Sequence, residues 1–307
     1  MGTTSSLISI SHFRMDFAKK TVIKDLSFDI KKGETFGLLG SNGSGKTTTI
    51  RALLGIYQPT GGALLIDSKP YTVDGTVKLG YLPEERGLYK KEKVLDIMVY
   101  FGQLKGMRRG EAKEWSLTYL ERVGLTEQAH MRLDKLSGGQ QQKIQLGIAV
   151  MDDPSLLILD EPTKGFDPVN RRLLMDIIEQ HQRQGATVIF VTHQMEEVER
   201  LCDRILLLKD GEARLYGTVE KVKDEFGGKV LEIVSENTVP VNDKLYSITR
   251  REGSTTYLDP HGELLAIQRS LTGAGVSLQR FEIKRPSLDD IFVTIYGNDT
   301  KQETRHA

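Results

Sequence analysis

Two acids, Asp160 and Glu161, close the apolar run Leu156-Leu157-Ile158-Leu159, far downstream of the glycine-rich loop Gly40-Ser41-Asn42-Gly43-Ser44-Gly45-Lys46-Thr47, which Thr48 continues. Such a loop suits the phosphates of a nucleotide. Its glycines let backbone N–H groups converge on anionic oxygens, and a helix expected after it offers the positive end of its dipole. In this pattern Lys46 reaches the β- and γ-phosphates and Thr47 gives a hydroxyl to Mg²⁺. Asp160, ending a buried strand, stands where a carboxylate holds the same metal through a water. Phosphoryl transfer needs positioning and charge neutralisation more than covalent chemistry, and these residues supply both.

A second element, Leu136-Ser137-Gly138-Gly139-Gln140, has the chemistry to cap a triphosphate. It would arise by chance in roughly one chain in several thousand, against roughly one in a hundred for the loop, so it is the more specific marker. On its own chain's nucleotide a second cap is redundant.

The loop, the serine-glycine element and the acidic pair, in that order, resemble the ATP-binding subunits of ABC transporters over residues 7 to 225. The resemblance implies an α/β P-loop ABC ATPase fold, with an antiparallel β subdomain, an inserted helical lobe and a small C-terminal α+β domain. It implies ATP and Mg²⁺ as cofactors and Glu161 as the base that polarises the attacking water. His193, after the strand Val188-Ile189-Phe190-Val191-Thr192, takes the place of the switch histidine that senses the γ-phosphate. Phe17 takes that of the aromatic that stacks on adenine, with Phe13 as second choice. Ser137, Gly138, Gly139 and Gln140 would face the γ-phosphate held by a second ATPase subunit, identical or not, and Gly165-Phe166-Asp167 would cross the same interface. At position 84 most relatives carry a glutamine that touches Mg²⁺; Glu84 is a metal candidate that adds negative charge, or it faces a membrane partner.

A narrower resemblance to the drug- and sodium-export branch rests on Gly80-Tyr81-Leu82-Pro83-Glu84-Glu85-Arg86-Gly87-Leu88-Tyr89 and on Arg285-Pro286-Ser287-Leu288-Asp289-Asp290-Ile291-Phe292. It implies export through a separate polytopic transmembrane permease, docked on the helical lobe, with the ATPase on the inner face of the cell membrane. The rival readings are a soluble ABC ATPase acting on nucleic acid or ribosomes, and a non-hydrolysing ATP-gated regulator. Two ATPase halves with a basic linker, or a long coiled-coil insertion, would favour the first rival. The 42 basic and 42 acidic residues balance, so nucleic acid is not an expected partner.

These residues need a scaffold, and the periodicities describe one. Leu26, Phe28 and Ile30 alternate with polar neighbours as a half-buried strand does, and Ile8 and Ile10 suggest another. Thr35-Phe36-Gly37-Leu38-Leu39 leads into the loop, and Ile50, Leu53 and Leu54 mark a helix after it. The runs at 156–159, 188–191 and 205–208 are apolar throughout, as in strands of a parallel sheet covered on both faces. Residues 86–135 turn helical and charged, an inserted lobe within an ATP-binding domain spanning 1–226. From 227 to 307, after Gly227-Gly228, short strands surround a helix near Glu263 to Leu271, and a short helix follows Pro286.

The single cysteine, Cys202, excludes an internal disulfide framework and suits a reducing cytosol, as a small buried hydrophobe. No apolar run approaches the ~20 residues that cross a bilayer, and the N-terminus lacks a secretory signal. Met1 to Ser6 fits a loose acylation pattern but reads as an exposed terminus of small residues. Trp115 reads as a packing residue of the lobe, Lys19-Lys20 and Lys90-Lys91 as solvated faces, and Glu196 with Arg200 as an i,i+4 pair.

Overall fold

The alternation in the first two strands builds a half-buried sheet. Ile8, Ile10, Leu26, Phe28 and Ile30 are buried while Ser11, Asp25 and Ser27 face out. β1 (Ser6–Phe17) pairs antiparallel with β2 (Lys20–Lys31) and with β4 (Gly61–Ile66), in the order β2-β1-β4. β4 is not among the expected strands, because Gly61-Gly62 opens it and breaks its alternation. This computed structural model describes residues 5–18, 20–72, 77–85, 87–226, 230–284 and 287–303. The acylation pattern at Met1 to Thr4, Lys19 of a lysine pair, Arg86 at the start of the lobe, the Gly227-Gly228 boundary and the Arg285-Pro286 head of the C-terminal motif lie outside the described residues.

The second sheet has the order β5-β6-β7-β3-β8-β9. Its strands are β3 (Thr35–Leu39), β5 (Leu79–Leu82), β6 (Leu156–Asp160), β7 (Thr187–Val191), β8 (Arg204–Lys209) and β9 (Glu212–Thr218). Every residue of β3, β6 and β7 is buried, as strands covered on both faces must be. Register decides where the chemistry goes. Parallel pairing sets Asp160 of β6 against Val191 of β7, and Leu38 of β3 against the same Val191. The three strands therefore end level, and the segments after them (the glycine loop, Glu161, and Thr192-His193) emerge along one carboxyl edge.

The helices of this part are α1 (Lys46–Leu53), α2 (Val94–Leu104), α3 (Arg109–Arg122), α4 (Gly138–Val150), α5 (Pro168–Arg183) and α6 (Met195–Leu201). α1 joins both sheets in one core. Ile50 and Leu53 pack with Ile8 and Leu26 of the antiparallel sheet and with Leu38, Ile158 and Val191 of the parallel one, and Phe28 stacks on Phe36 at 5.3 Å. Each such side chain, fully buried, contributes about 1.5–3 kcal/mol. The inserted lobe is α2 and α3, followed by short turns at Thr126–Gln128 and Leu133–Lys135. Trp115 stacks on Tyr119 at 5.2 Å, and the Tyr119 hydroxyl donates to the Lys143 carbonyl of α4 at 2.8 Å. Arg200 of α6 bonds Glu179 and Asp176 of α5, in place of the Glu196 partner that helical spacing suggests.

The chain divides into two compact units, Met1–Gly217 and Thr218–Ala307. In the second, α7 (Val219–Phe226) precedes β10 (Val230–Ser235), β11 (Tyr246–Glu252), β12 (Thr255–Pro260), α8 (Leu264–Gly273), β13 (Leu278–Lys284) and α9 (Leu288–Glu303). Its antiparallel sheet runs β11-β12-β10-β13, with Leu231, Ile233, Tyr246, Leu258, Ile267 and Leu271 in its core. Glu232 is buried on this sheet but satisfied by Arg280 at 3.1 Å and Lys284 at 2.6 Å. The closing helix is longer than the short one expected, with 16 residues. Among the described residues no helix is long and apolar enough to cross a membrane.

Candidate active site

The glycine loop is held in a conformation that other residues would strain. Gly40 and Gly45 have φ of 151° and 111°, and a Cβ on Gly45 would run into Ile23, which β2 presses against the loop. No side chain caps α1, so the first N–H groups of the helix remain open toward an anion. Lys46 folds back over the loop, its Nζ donating to the carbonyls of Gly40 at 2.9 Å and Ser41 at 3.0 Å. Burial lowers its pKa, and the charges of Glu161, Asp160 and Glu84 oppose that.

Thr47 and Asp160 meet across the sheet edge, the Thr47 hydroxyl donating to Asp160 Oδ2 at 3.2 Å. Asp160 Oδ1 is buried with no hydrogen-bond partner. Its carboxyl is pushed up to about 6, first by burial and further by the charges of Glu84 and Glu161, against the Thr47 hydrogen bond and the Lys46 charge. A buried carboxylate oxygen without a donor, beside a hydroxyl and a cation, fits a divalent cation. Among the described residues no three His, Cys, Asp or Glu side chains cluster as a cage. The protein would thus offer the ion one carboxylate and one hydroxyl and leave its other positions to phosphate and water, the pattern Mg²⁺ favours.

Glu161 follows with φ of +50°, a left-handed backbone that costs a residue with a side chain roughly 1–2 kcal/mol. Its N–H is tied to the Val191 carbonyl at 2.8 Å, so strand β7 holds it in this turn. The carboxylate is buried, and its Oε1 lies 2.8 Å from Nδ1 of the exposed His193, while the Thr192 hydroxyl reaches Oε2 at 3.5 Å. Glu161, though not His193, is on the wall of a cavity of about 380 Å³ that also includes Asn42, Gly43, Gly45, Lys46, Thr47, Thr48, Glu84 and Asp160, with Lys20 and Val22 from β2. Glu84 faces this cavity while its Oε1 accepts from Lys164 Nζ at 2.6 Å. Phe17 does not line it. It stands exposed at the end of β1, edge-on to Tyr57 at 5.3 Å, whereas Phe13 is wholly buried in the core.

The serine-glycine element sits apart. Ser137 caps α4, its Oγ accepting from the Gln140 N–H at 3.3 Å while Gln140 Oε1 accepts from the Ser137 N–H at 2.8 Å. None of Ser137, Gly138, Gly139 and Gln140 is on the wall of the cavity that the glycine loop borders. Phe166, buried, lies so close to Gly139 that a Cβ there would sit 3.5 Å from its ring, and Asp167 caps α5 through the N–H groups of Val169 and Asn170.

Four further side chains, not singled out by motif, fasten this region. Gln142 of α4 donates to the Pro162 carbonyl at 3.3 Å, and Gln145 to that of Glu85 at 3.2 Å. Glu197 of α6 accepts from Thr163 at 2.8 Å, and Lys164 holds Glu84. The one local signal was glutamines spaced three apart on a helix flanked by apolar residues. Glu197 and Lys164 left none.

Residues 23–164 match the family described as ABC transporter, and residues 217–296 match the family described as ATP-binding protein DrrA1-3-like, C-terminal domain. An uncharacterized ABC transporter ATP-binding protein, YhaQ of Bacillus subtilis (strain 168), is 38% identical over 301 residues, covering 95% of this chain and 99% of that protein. The linearmycin resistance ATP-binding protein LnrL of the same organism is 32% identical over 308 residues, covering 95% and 98%. Among solved structures, the dimer of the ATP-binding cassette MJ0796, in a post-hydrolysis state with ADP and Pi, matches with a TM-score of 0.63 at 25% identity over 69% of this chain and 98% of that one.

Proposed function

The chain belongs to the family of ABC transporter ATP-binding proteins and is an ATPase, and from that premise we propose how its residues divide the work. The observation that carries the reading is the pairing of Thr47 with Asp160 beside that of His193 with Glu161, with Thr47, Asp160 and Glu161 on the wall of one cavity. The glycine loop and the open start of α1 hold the phosphates, and Lys46 leaves its loop carbonyls for the β- and γ-phosphates. Mg²⁺, held by Thr47 and Asp160, supplies charge neutralisation on those phosphates. Glu161 takes the proton of the attacking water, and His193 fixes that carboxylate while bridging to the γ-phosphate. Phe17, exposed beside Tyr57, supplies a face for adenine.

Ser137 and the N–H groups that follow it cap the triphosphate of a second subunit, so two chains close around ATP and separate after hydrolysis. The dimeric ADP-bound relative supports this arrangement. A separate transmembrane permease completes the machine, with the ATPase on the inner face of the cell membrane. A relative named Nod factor export ATP-binding protein I, from Rhizobium sp. (strain N33) and 33% identical over 306 residues, supports export. The permease's cytoplasmic helix finds a groove of about 300 Å³ on the lobe, lined by Tyr89, Glu92, Asp96, Ile97 and Tyr100. That wall suits a segment with an apolar anchor and basic flanks.

The test is phosphate release by the purified chain with and without Mg²⁺, together with identification of whatever co-purifies from cells. Metal-dependent release and a polytopic membrane protein are expected. Release that ignores chelation, or ribosomes and RNA in place of the membrane protein, would overturn the reading.

A further inference from the structure

Three carboxylates, Glu84, Asp160 and Glu161, face the cavity that receives the triphosphate. The charge of Glu84 reaches both Asp160 and Lys46, so it acts within the site and not merely at its rim. A nucleotide brings further negative charge to this wall. One cation from another loop answers it: Lys164 Nζ lies 2.6 Å from Glu84 Oε1.

The pair joins two neighbouring strand ends. Glu84 follows β5 and Lys164 follows β6, which run parallel and adjacent. Lys164 is also well placed by its neighbour, since Thr163 is buried and bonded to the buried Glu197 at 2.8 Å. The ion pair itself is 59% and 41% exposed, and pairs so open add little to folding. Its consequence therefore lies in the field it sets at the phosphates.

We propose that Lys164 is the counter-ion that permits a glutamate at position 84: it neutralises Glu84 beside the bound phosphates, so that the site meets Mg·nucleotide as though an uncharged side chain stood there. Lys164 is a positioning residue in this account and does not touch the nucleotide. The account rests on the cavity being the Mg·ATP site. Without Lys164, an uncompensated carboxylate several ångströms from a polyanion weakens binding by roughly three- to tenfold at low salt, and less as salt screens it.

The experiment titrates the full-length chain with Mg²⁺ and adenylyl imidodiphosphate, which is not turned over, at low ionic strength. Four proteins are compared: wild type, Lys164→Met, Glu84→Gln and the double variant. Lys164→Met should bind about three- to tenfold more weakly. In Glu84→Gln the exposed Lys164 loses its anchor and turns to solvent, where its charge is screened. That variant should therefore bind within about twofold of wild type, and the double variant within about twofold of Glu84→Gln. The same loss from Lys164→Met in both backgrounds would overturn the proposal, because Lys164 would then act on the phosphates or on loop shape directly. No loss at all would overturn it too, as would a lowered melting temperature in Lys164→Met that Glu84→Gln does not reverse. Failure of the wild type to bind Mg·nucleotide would instead sink the assignment of the cavity.

Discussion

The carboxyl edge of the parallel sheet and the tip of α4 are finished to different degrees. At the sheet edge one chain brings together Thr47 with Asp160, and Glu161 with His193. At the helix tip Ser137 and Gln140 satisfy each other, and residues 137–140 stay off the wall of that cavity. In the proposed division of work, chemistry is assembled within one chain, while recognition of the far side of the triphosphate is left open. On that proposal the need for a second subunit falls at one helix end, and the groups at the sheet edge are placed independently of it.

The largest effect should come from the finished side. Glu161→Gln removes the base and keeps the phosphate contacts, so turnover should fall by at least about a hundredfold while nucleotide affinity stays within about threefold. Phosphate release and equilibrium titration measure the two. Turnover within tenfold of wild type would mean that the water is activated elsewhere.

The open side is broken by mixing. Lys46→Ala and Ser137→Arg should each abolish activity alone. Mixed in equal amounts, half of the dimers are hybrid and each hybrid keeps one intact pairing of loop and cap, so about a quarter of wild-type turnover should return. If mixing restores nothing, Ser137 serves its own chain's nucleotide and the contrast between the two regions disappears.

The smallest effect sharpens how α4 is anchored. Lys105 of the lobe donates from Nζ to the carbonyls of Ala149 at 3.1 Å and Met151 at 3.0 Å, at the far end of α4. Burial brings its pKa down from 10.5 to about 8. Between those values the unfolded chain holds the extra proton, so the folded state gains stability as pH rises. Lys105→Met lacks this gain. From pH 7 to pH 9.5 wild type should gain about 1–2 kcal/mol relative to the variant, read from denaturant midpoints.

Much of this was legible in the sequence because the signals are local. The strands at 156–160 and 187–191 announce themselves by unbroken apolar runs, and the loop before α1 by its glycines. The level endings of β3, β6 and β7, which bring the loop, the acids and His193 to one edge, come from strand register and not from any local signal. Other features are products of folding alone. β4 hides behind its two glycines, and α9 extends well past its opening motif. Arg200 turns to α5, where Glu179 and Asp176, far away in the chain, offer it two carboxylates. Nothing in the sequence marks Lys164, which meets Glu84 only because β5 lies beside β6.

The anchoring of α4 has a mechanical side. With 13 residues the helix is about 20 Å long, fixed to the lobe through Lys105 at one end and carrying Ser137 at the other. Such a rod is a lever arm, held by the lobe also through the Tyr119 hydroxyl at its middle. Carried with the lobe through a tilt of about five degrees, it sweeps Ser137 through about 2 Å against the restraint of the Gln142 bond to Pro162. That travel exceeds the spread of distances over which a hydrogen bond survives, roughly half an ångström. If Ser137 caps a second subunit's triphosphate as proposed, a modest rocking of the lobe is thereby geared up into engagement or release there.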